Sequence, residues 1–357
     1  MHTLVITKSD LRQILERVGL DTLMDEMIRR LTHALKGFDE RHSTIKPRDG
    51  FQYTYPHPGV IEWMPSMRNQ ETITVKMVAY NPKNPERENL PTILSSASLY
   101  DAQTGSLRCL CDATFLTALR TGAASAIASQ HLAREDAHIL GMIGCGAQAV
   151  SQIHALSRCF PLREILVFDV AAAQCHSLPQ RLAPLGLAVR VADVETVVQH
   201  ADILCTATSV AIGEGPVFPP TEVKPWLHIN AIGSDLPGKT ELPLALLQKA
   251  FVCPDFPAQA KVEGECQQLA DAAVGASLVD VVKQPEEFAS LRTSLSIFDS
   301  TGYALEDQIA LEMLHHYAQA DQLGTPMHIE ALTEDVYNPY SLLASPAPLQ
   351  AKALTVK

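Results

Sequence analysis

The sequence predicts an α/β protein of two domains, one built on a parallel sheet and one on an antiparallel sheet. Three observations predict it. The chain has 357 residues, whereas one domain usually takes ~100–200. Extended segments follow one another up to about residue 110, and after Asp112 strands alternate with helices. Apolar residues make up 46% and charged residues 19% of the chain, which is enough to form a core in each domain.

The first 110 residues are typical of an α+β domain. Residues 20–35 repeat apolar side chains at helical spacing, which predicts an amphipathic helix. Residues 72–79 alternate polar and apolar side chains with period two, which predicts a strand. Further segments that look extended are 59–64, 92–99 and 106–111. We therefore expect a mostly antiparallel sheet with helices on one side.

The rest of the chain is typical of a parallel sheet with helices on both faces. A helix of small residues is expected at 113–133, and a last long helix at 303–320. The candidate strands are 138–143, 165–169, 187–192, 202–206, 227–232, 250–253 and 295–299. The candidate helices between them are 147–158, 171–183 and 243–249. We expect the first domain to comprise residues 1–121 with 319–357, and the second to comprise 122–318.

Charge and composition exclude several classes of partner. The formal net charge is −12 and there is no basic block, so binding to nucleic acid or to an anionic membrane is not expected. No apolar run approaches the ~20 residues that span a bilayer, and no signal peptide is evident. The eight scattered cysteines favour a reducing compartment, by default the cytoplasm. His315 and His316 are adjacent rather than four apart, so no metal-binding helix is predicted.

A glycine loop between a strand and a helix predicts a dinucleotide site. The loop is Gly144-Cys-Gly-Ala-Gln-Ala149, in which Gly144 permits the turn and Gly146 lets backbone N–H groups approach a pyrophosphate. The next strand ends at Asp169, 23 residues after Gly146. A carboxylate there binds the ribose diol and repels a 2′-phosphate, which favours NAD over NADP. The alternative is a structural glycine turn followed by a helix-capping aspartate.

Polar residues follow two other predicted parallel strands, where ligands of open sheets bind. Thr208 comes after the strand at 202–206, and its hydroxyl could equally cap the strand end. Asp235 and Lys239 lie on the loop after 227–232 and could transfer protons. Their alternative is an Asx turn with a surface lysine.

Four charged residues of the first part of the chain could together bind a zwitterion. Lys76 lies within a strand and is either an edge-strand lysine or a carboxylate ligand. Glu62, in an apolar strand, either faces solvent or has a perturbed pKa. Arg120 could form only a structural ion pair, and Arg48 could be a solvated loop residue.

Five runs of sequence resemble the ornithine cyclodeaminase/mu-crystallin family, over the chain to about Leu343. The runs are Thr117-Ala-Leu-Arg-Thr121, Gly144-Cys-Gly-Ala-Gln148, Gly233-Ser-Asp-Leu-Pro-Gly-Lys-Thr-Glu-Leu242, Glu263-Gly-Glu-Cys-Gln-Gln-Leu269 and Phe298-Asp-Ser-Thr-Gly-Tyr-Ala-Leu-Glu-Asp307. Within the family, the likeness is to bacterial lysine cyclodeaminases. It is carried by Asp21-Thr-Leu-Met-Asp-Glu26, Ile61-Glu-Trp-Met-Pro65 and Leu90-Pro-Thr-Ile-Leu94.

The resemblance implies a fold and a set of site residues. It implies a homodimer formed through the antiparallel domain, a Rossmann-type domain for NAD, and a substrate pocket between the domains. Asp235 matches the acid that transfers protons, with Glu62 and Lys76 as further catalytic candidates. Arg48, Lys76 and Arg120 match residues that bind the substrate. Besides Gly144 and Gly146, the positions implied for NAD are Thr92, Arg120, Ala147, Gln148, Asp169, Thr208, Asn230, Ala231, Ile232, Lys239 and Ser300.

The activity that the resemblance implies is cyclodeamination of L-lysine to L-pipecolate with loss of ammonia. NAD would be recycled within one turnover by internal oxidation, cyclisation and re-reduction. One alternative is the same reaction on L-ornithine, giving L-proline, because one methylene separates the substrates by only ~1–3 kcal/mol. Others are a cyclic imine reductase or amino-acid dehydrogenase, and a binding protein that uses NAD structurally.

Overall fold

The computed structural model describes residues 2–330 and 332–343, in which strands and helices are numbered in chain order. The strands are β1 (Thr3–Ile6), β2 (Ser43–Ile45), β3 (Asp49–Tyr53), β4 (Gly59–Arg68), β5 (Thr72–Tyr80), β6 (Ile93–Asp101), β7 (Leu107–Asp112), β8 (Ile139–Ile143), β9 (Glu164–Phe168), β10 (Arg190–Val191), β11 (Ile203–Thr206), β12 (His228–Ala231), β13 (Phe251–Pro254), β14 (Ser296–Asp299) and β15 (Thr325–Met327). The helices are α1 (Lys8–Val18), α2 (Leu20–Lys36), α3 (Asn84–Arg87), α4 (Thr114–Leu132), α5 (Ala147–Cys159), α6 (Ala172–Leu182), α7 (Val194–His200), α8 (Leu244–Leu247), α9 (Pro257–Glu263), α10 (Leu278–Lys283), α11 (Pro285–Phe288) and α12 (Ala304–Ala320).

The first sheet has eight strands and is mostly antiparallel, as predicted. Its order is β15-β1-β7-β6-β5-β4-β2, with β3 also paired to β4, and only β1 and β7 run parallel. Helices α2, α4 and α12 pack together on one side of it. Helix α2 contributes six apolar side chains that are buried, at the spacing that predicted this helix.

On the first sheet a polar face is buried and an apolar face is exposed, the reverse of the usual arrangement. On β5 the polar residues Thr74 and Lys76 point inward under α12, and both are fully buried. Ile61, Met77 and Leu94 lie on the outer face of neighbouring strands and are 37–40% exposed. The polar face can be buried because Lys76 pairs with Asp307 of α12. The apolar face is therefore on the other side of the sheet, where a single chain leaves it uncovered.

The second sheet has seven parallel strands in the order β10-β9-β8-β11-β12-β14-β13. Helices cover both faces, as predicted, because successive strand residues enter different cores. Leu204 packs in the core formed with α7 and α8, whereas Cys205 packs in the core formed with α5 and α6. The expected strand 187–192 is reduced to β10, and the expected helix 243–249 is reduced to the single turn of α8.

Two long helices connect the sheets. Helix α4 packs against β6 of the first sheet and against β12 and β14 of the second, and α12 returns the chain to β4 and β5. The predicted domain boundaries at 121 and 318 fall inside these helices and stay a prediction. Part of the final segment assigned to the first domain, 344–357, lies outside the described residues. No helix within the described ranges is long and apolar enough to cross a membrane.

Candidate active site

The candidate residues of the second sheet lie at one edge, where its parallel strands end. Ile143, Thr206, Ala231 and Asp299 are in register on β8, β11, β12 and β14. The loops that follow these strands therefore leave the sheet at the same level. This carboxyl edge of an open parallel sheet is where ligands bind in such folds.

The glycine loop has the geometry that its sequence predicts. Gly144 has φ +92°, and a Cβ there would lie 2.5 Å from the carbonyl oxygen of Ala207. Gly146 precedes α5, so the N–H groups of Ala147 and Gln148 lie in the first turn of that helix. A Cβ on Gly146 would meet nothing within 4 Å, so the space in front of the loop is open.

Asp169 connects the end of β9 to the glycine loop. Its Oδ2 accepts a hydrogen bond from the Cys145 N–H at 2.7 Å, and its Oδ1 accepts one from Ala171 N–H at 2.8 Å. The second bond is a local turn contact and does not cap α6, whose N-cap is Ala171, so the capping part of the structural alternative is wrong. The first places the carboxylate beside the loop, as a role with the ribose requires.

A buried carboxylate that the sequence analysis did not single out joins two strand ends. Glu241 accepts hydrogen bonds from Thr206 Oγ1 at 2.6 Å, from Thr208 N–H at 2.7 Å and from Gly233 N–H at 2.8 Å. It therefore fixes the backbone after β11 to the backbone after β12. Its motif, Lys239-Thr-Glu-Leu242, was noticed only as part of the resemblance.

Other residues expected near NAD also lie at this edge. Asn230, on β12, is buried and donates to Ser129 Oγ at 3.0 Å. Ala231 ends that strand and Ile232 follows it. The Ser300 hydroxyl, just past β14, is buried and makes no hydrogen bond within the described residues. An orphaned hydroxyl at the same edge of the sheet as the glycine loop fits a polar ligand such as a dinucleotide.

Asp235 and Lys239 form an ion pair on the loop after β12. Lys239 Nζ donates to Asp235 Oδ1 at 2.8 Å, and the Lys239 side chain is 2% exposed against 24% for Asp235. Burial lowers the pKa of Lys239, but Asp235 and Tyr80 outweigh it, so the net shift is upward. The lysine is therefore buried rather than on the surface, contrary to the Asx-turn alternative.

Lys76 and Arg120 meet at the start of α12. Lys76 lies in the central strand β5, which excludes the edge-strand interpretation, and its Nζ donates to Asp307 Oδ1 at 2.8 Å. Arg120 donates from Nε to the same oxygen at 3.0 Å and from Nη1 to Glu306 Oε2 at 2.8 Å. The two cations share one carboxylate, so N–H groups remain for a further anion.

Arg48 approaches the same place from the loop before β3. Its Nη1 donates to Glu62 Oε2 at 3.3 Å, its Nε lies 2.8 Å from Glu263 Oε1, and its Nη2 donates to the Thr301 and Gly302 carbonyls. The side chain is 8% exposed, so the solvated-loop alternative is wrong. Gly302 lies between the two arginines. A Cβ there would be 2.8 Å from Arg120 Nη2 and 3.2 Å from Arg48 Nη2.

Burial shifts the titration of this cluster. It lowers the pKa of Lys76 to about 8, against the opposing effect of Asp307. It raises the pKa of Glu263 to about 8 despite the neighbouring Arg48. Burial likewise raises the pKa of Glu62, which faces inward opposite Val78. Lys76 and Glu263 can therefore exchange protons near neutral pH.

The structure thus brings together most of the predicted site residues, and Thr92 is the least connected of them. Thr92 precedes β6, and its carbonyl accepts from Asn81 N–H at 2.8 Å. Sequence reasoning missed Glu263, Glu306 and Asp307 as site residues, although they lie inside the motifs that carry the resemblance. The adjacent pair Glu306-Asp307 in the first turn of α12 was the available signal.

Comparison with known proteins shows the family of the chain. The ornithine cyclodeaminase/mu-crystallin family profile matches residues 8–322. An L-lysine cyclodeaminase from Streptomyces rapamycinicus is 47% identical over 96% of this chain and all of its own. An ornithine cyclodeaminase from Agrobacterium fabrum is 31% identical, covering 81% of each chain.

Two solved structures are similar to this chain over most of its length. A lysine cyclodeaminase structure, described with recognition of L-lysine, L-ornithine and L-2,4-diaminobutyric acid, superposes with a TM-score of 0.93 at 47% identity, over 96% of this chain and all of its own. A dimeric archaeal alanine dehydrogenase with bound NAD has a TM-score of 0.78 at 29% identity, over 92% of this chain and all of its own. The chain belongs to the ornithine cyclodeaminase/mu-crystallin family.

Proposed function

We propose that the protein is an NAD-dependent cyclodeaminase that converts L-lysine to L-pipecolate with release of ammonia. The observation that carries the proposal is the cluster in which Lys76 and Arg120 share Asp307 beside the Asp235 loop. It offers N–H donors for a carboxylate and acids for amines in one buried place. The 47% identical lysine cyclodeaminase supports the choice of substrate.

The α-carboxylate of lysine binds to Lys76 and Arg120. Each keeps donors after pairing with α12, because Lys76 has three N–H bonds and Arg120 has five. Arg48 donates to Glu62 and to two carbonyls, whereas its Nε lies 2.8 Å from Glu263 Oε1 without a hydrogen bond among the described residues. It contributes charge to the carboxylate site and holds Glu62 in place.

The excess of acid suits a substrate with two amines. Four cations, Arg48, Lys76, Arg120 and Lys239, face seven carboxyl groups, Glu62, Asp235, Glu241, Asp255, Glu263, Glu306 and Asp307. Lysine brings two ammonium groups and one carboxylate, so it complements that excess. Both amines must lose a proton to react, and Asp235 accepts and returns these protons, with Glu62 and Lys76 as further acid–base groups.

NAD binds at the carboxyl edge of the parallel sheet. Gly144, Gly146, Ala147 and Gln148 hold the pyrophosphate, and Asp169 holds the ribose diol. The remaining contacts are Thr92, Arg120, Thr208, Asn230, Ala231, Ile232, Lys239 and Ser300. When bound, NAD supplies the hydride acceptor, and the chain supplies orientation, charge and a buried site.

The enzyme is a homodimer that pairs through its first domain, residues 1–121 with 319–357. The outer face of the first sheet supports this, because Phe51 is 71% exposed beside Ile61, Met77 and Leu94. A face of such side chains is an expected subunit contact.

Mass spectrometry of the products tests the function. Purified enzyme with a catalytic amount of NAD is given L-lysine, L-ornithine or L-2,4-diaminobutyrate, and cyclic product and ammonia are quantified. We expect pipecolate and ammonia in equal amounts, with no net change in NADH absorbance. Stoichiometric NADH formation or consumption would identify a dehydrogenase or reductase instead. Faster turnover of ornithine would make proline formation the activity.

A further inference from the structure

The contacts of Asp235 extend from the parallel sheet to the antiparallel sheet. Lys239 Nζ, bound to Asp235 Oδ1, also lies 4.9 Å from the ring centroid of Tyr80. Tyr80 is the last residue of β5, on the same inward face as Lys76. Asp235 Oδ2 accepts no hydrogen bond from any residue in the described ranges.

The backbone of Lys239 is fixed by its own loop. Its N–H donates to the Leu236 carbonyl at 3.0 Å, and its carbonyl accepts from Ser234 Oγ at 2.6 Å and from Gln267 Nε2 at 3.1 Å. The side chain then reaches from this rigid turn to Tyr80. A buried ammonium over an aromatic face is stabilised by the ring quadrupole.

Asp235 needs such a partner because it is close to other acids. Glu62 and Glu263 both interact electrostatically with it. Whenever these acids are charged they repel the Asp235 carboxylate, and a bound cation offsets that repulsion. The ammonium of Lys239 fixes the carboxylate by binding Oδ1 and leaves Oδ2 without a hydrogen bond among the described residues.

We propose that Tyr80 and Lys239 are positioning residues for Asp235, with the Tyr80 ring holding the ammonium and the ammonium holding Oδ1. The inference rests on the proposed function for the role of Asp235. It gives Tyr80 a role in orienting Asp235, which neither the glycine loop nor Lys76 and Arg120 fulfil.

Substitution of Tyr80 separates the ring from the hydroxyl. Loss of a cation–π contact in a desolvated site corresponds to roughly a two- to thirtyfold loss of rate. We expect Tyr80→Leu to lower kcat by about that factor with little change in NAD affinity, and Tyr80→Phe to recover most of it. Equal losses in both variants, or a wild-type kcat in folded Tyr80→Leu, would overturn the proposal.

A double-mutant cycle tests whether Tyr80 acts through Asp235. If it does, Tyr80→Leu causes no further loss of kcat in the Asp235→Asn background, whereas a general structural effect adds in full. Lys239→Met should lower kcat more than Tyr80→Leu does. Because Lys239 is also proposed to contact NAD, kcat is compared at saturating NAD, and a Lys239→Met enzyme that keeps the wild-type kcat there would contradict the proposal.

A measurement without turnover keeps this test separate from that of the function. In nitrogen-15 lysine-labelled protein, the Lys239 ammonium resonance, assigned with Lys239→Arg, should carry a ring-current shift that Tyr80→Leu removes and Tyr80→Phe retains. An unchanged resonance in Tyr80→Leu would refute the contact. Failure of wild-type enzyme to form pipecolate would refute only the proposed function.

Discussion

Replacing Asp169 by Asn tests how the chain selects its cofactor. The carboxylate accepts two backbone N–H groups, at 2.7 and 2.8 Å, and is expected to bind the ribose diol as well. An amide of the same shape offers only one acceptor oxygen, so one of those N–H groups loses its partner. A hydrogen bond to a charged group is worth about 1.5–3 kcal/mol.

The expected result follows from those bonds. NAD affinity should fall roughly ten- to hundredfold, because a bond of that strength to the diol is lost. NADP affinity should fall less or rise, since no carboxylate then repels the 2′-phosphate. The ratio of the NADP dissociation constant to the NAD dissociation constant should fall at least ~10-fold.

Fluorescence titration with NADH and NADPH measures both constants on one protein sample. Glu164→Gln is the matched control, because Glu164 begins β9, the strand that Asp169 follows, and among the described residues it pairs with Arg190 alone, at the surface. We expect the control to keep the wild-type ratio. An Asp169→Asn protein that also keeps the wild-type ratio of dissociation constants would refute the assignment of Asp169 to the ribose.

Three further predictions concern other parts of the molecule. Asp235→Asn should lower pipecolate formation by about 10²–10⁴-fold with NAD affinity intact; loss of both would make the residue part of the cofactor site. The pKa of Glu263 is raised to about 8 in the folded chain, so its contribution to stability is present below pH ~4.5 and is lost as pH rises towards 8. Glu263→Gln should therefore flatten the fall in unfolding free energy between pH 5 and 8 in urea titrations, whereas an unchanged slope would contradict the shift. Leu94→Asp, on the exposed outer face, should shift the protein towards a monomer in light scattering, and an intact dimer would place the interface elsewhere.

Local features of the sequence predicted most of the parallel domain. The glycine loop and Asp169 could be located because each strand is a short apolar run that ends in turn residues. Helix α1 was missed although Leu11, Ile14, Leu15 and Val18 recur at helical spacing, whereas strand β1 was not predicted because four residues give little periodicity. The short strands β2 and β3 were missed for a similar reason.

The ion pairs of the site could not be predicted in the same way. Lys76 and Asp307 are 231 residues apart in the chain, so their contact depends on the packing of α12 against β5. Acids in the first turn of a helix usually stabilise its N-terminus, and this hides their role here. The sequence also does not show which face of β5 is buried. In the structure the apolar face is the outer one.

The helical connections between the sheets have a mechanical consequence. Arg120 lies on α4, and its carboxylate partners lie on α12, so the carboxylate site is built on the two segments that join the sheets. A hinge in a loop would let the cleft open while these contacts stayed intact. Here the contacts join the two connecting helices themselves, and α4 packs against both sheets. A ligand that binds Arg120 therefore contacts a segment on which the relative position of the two sheets depends.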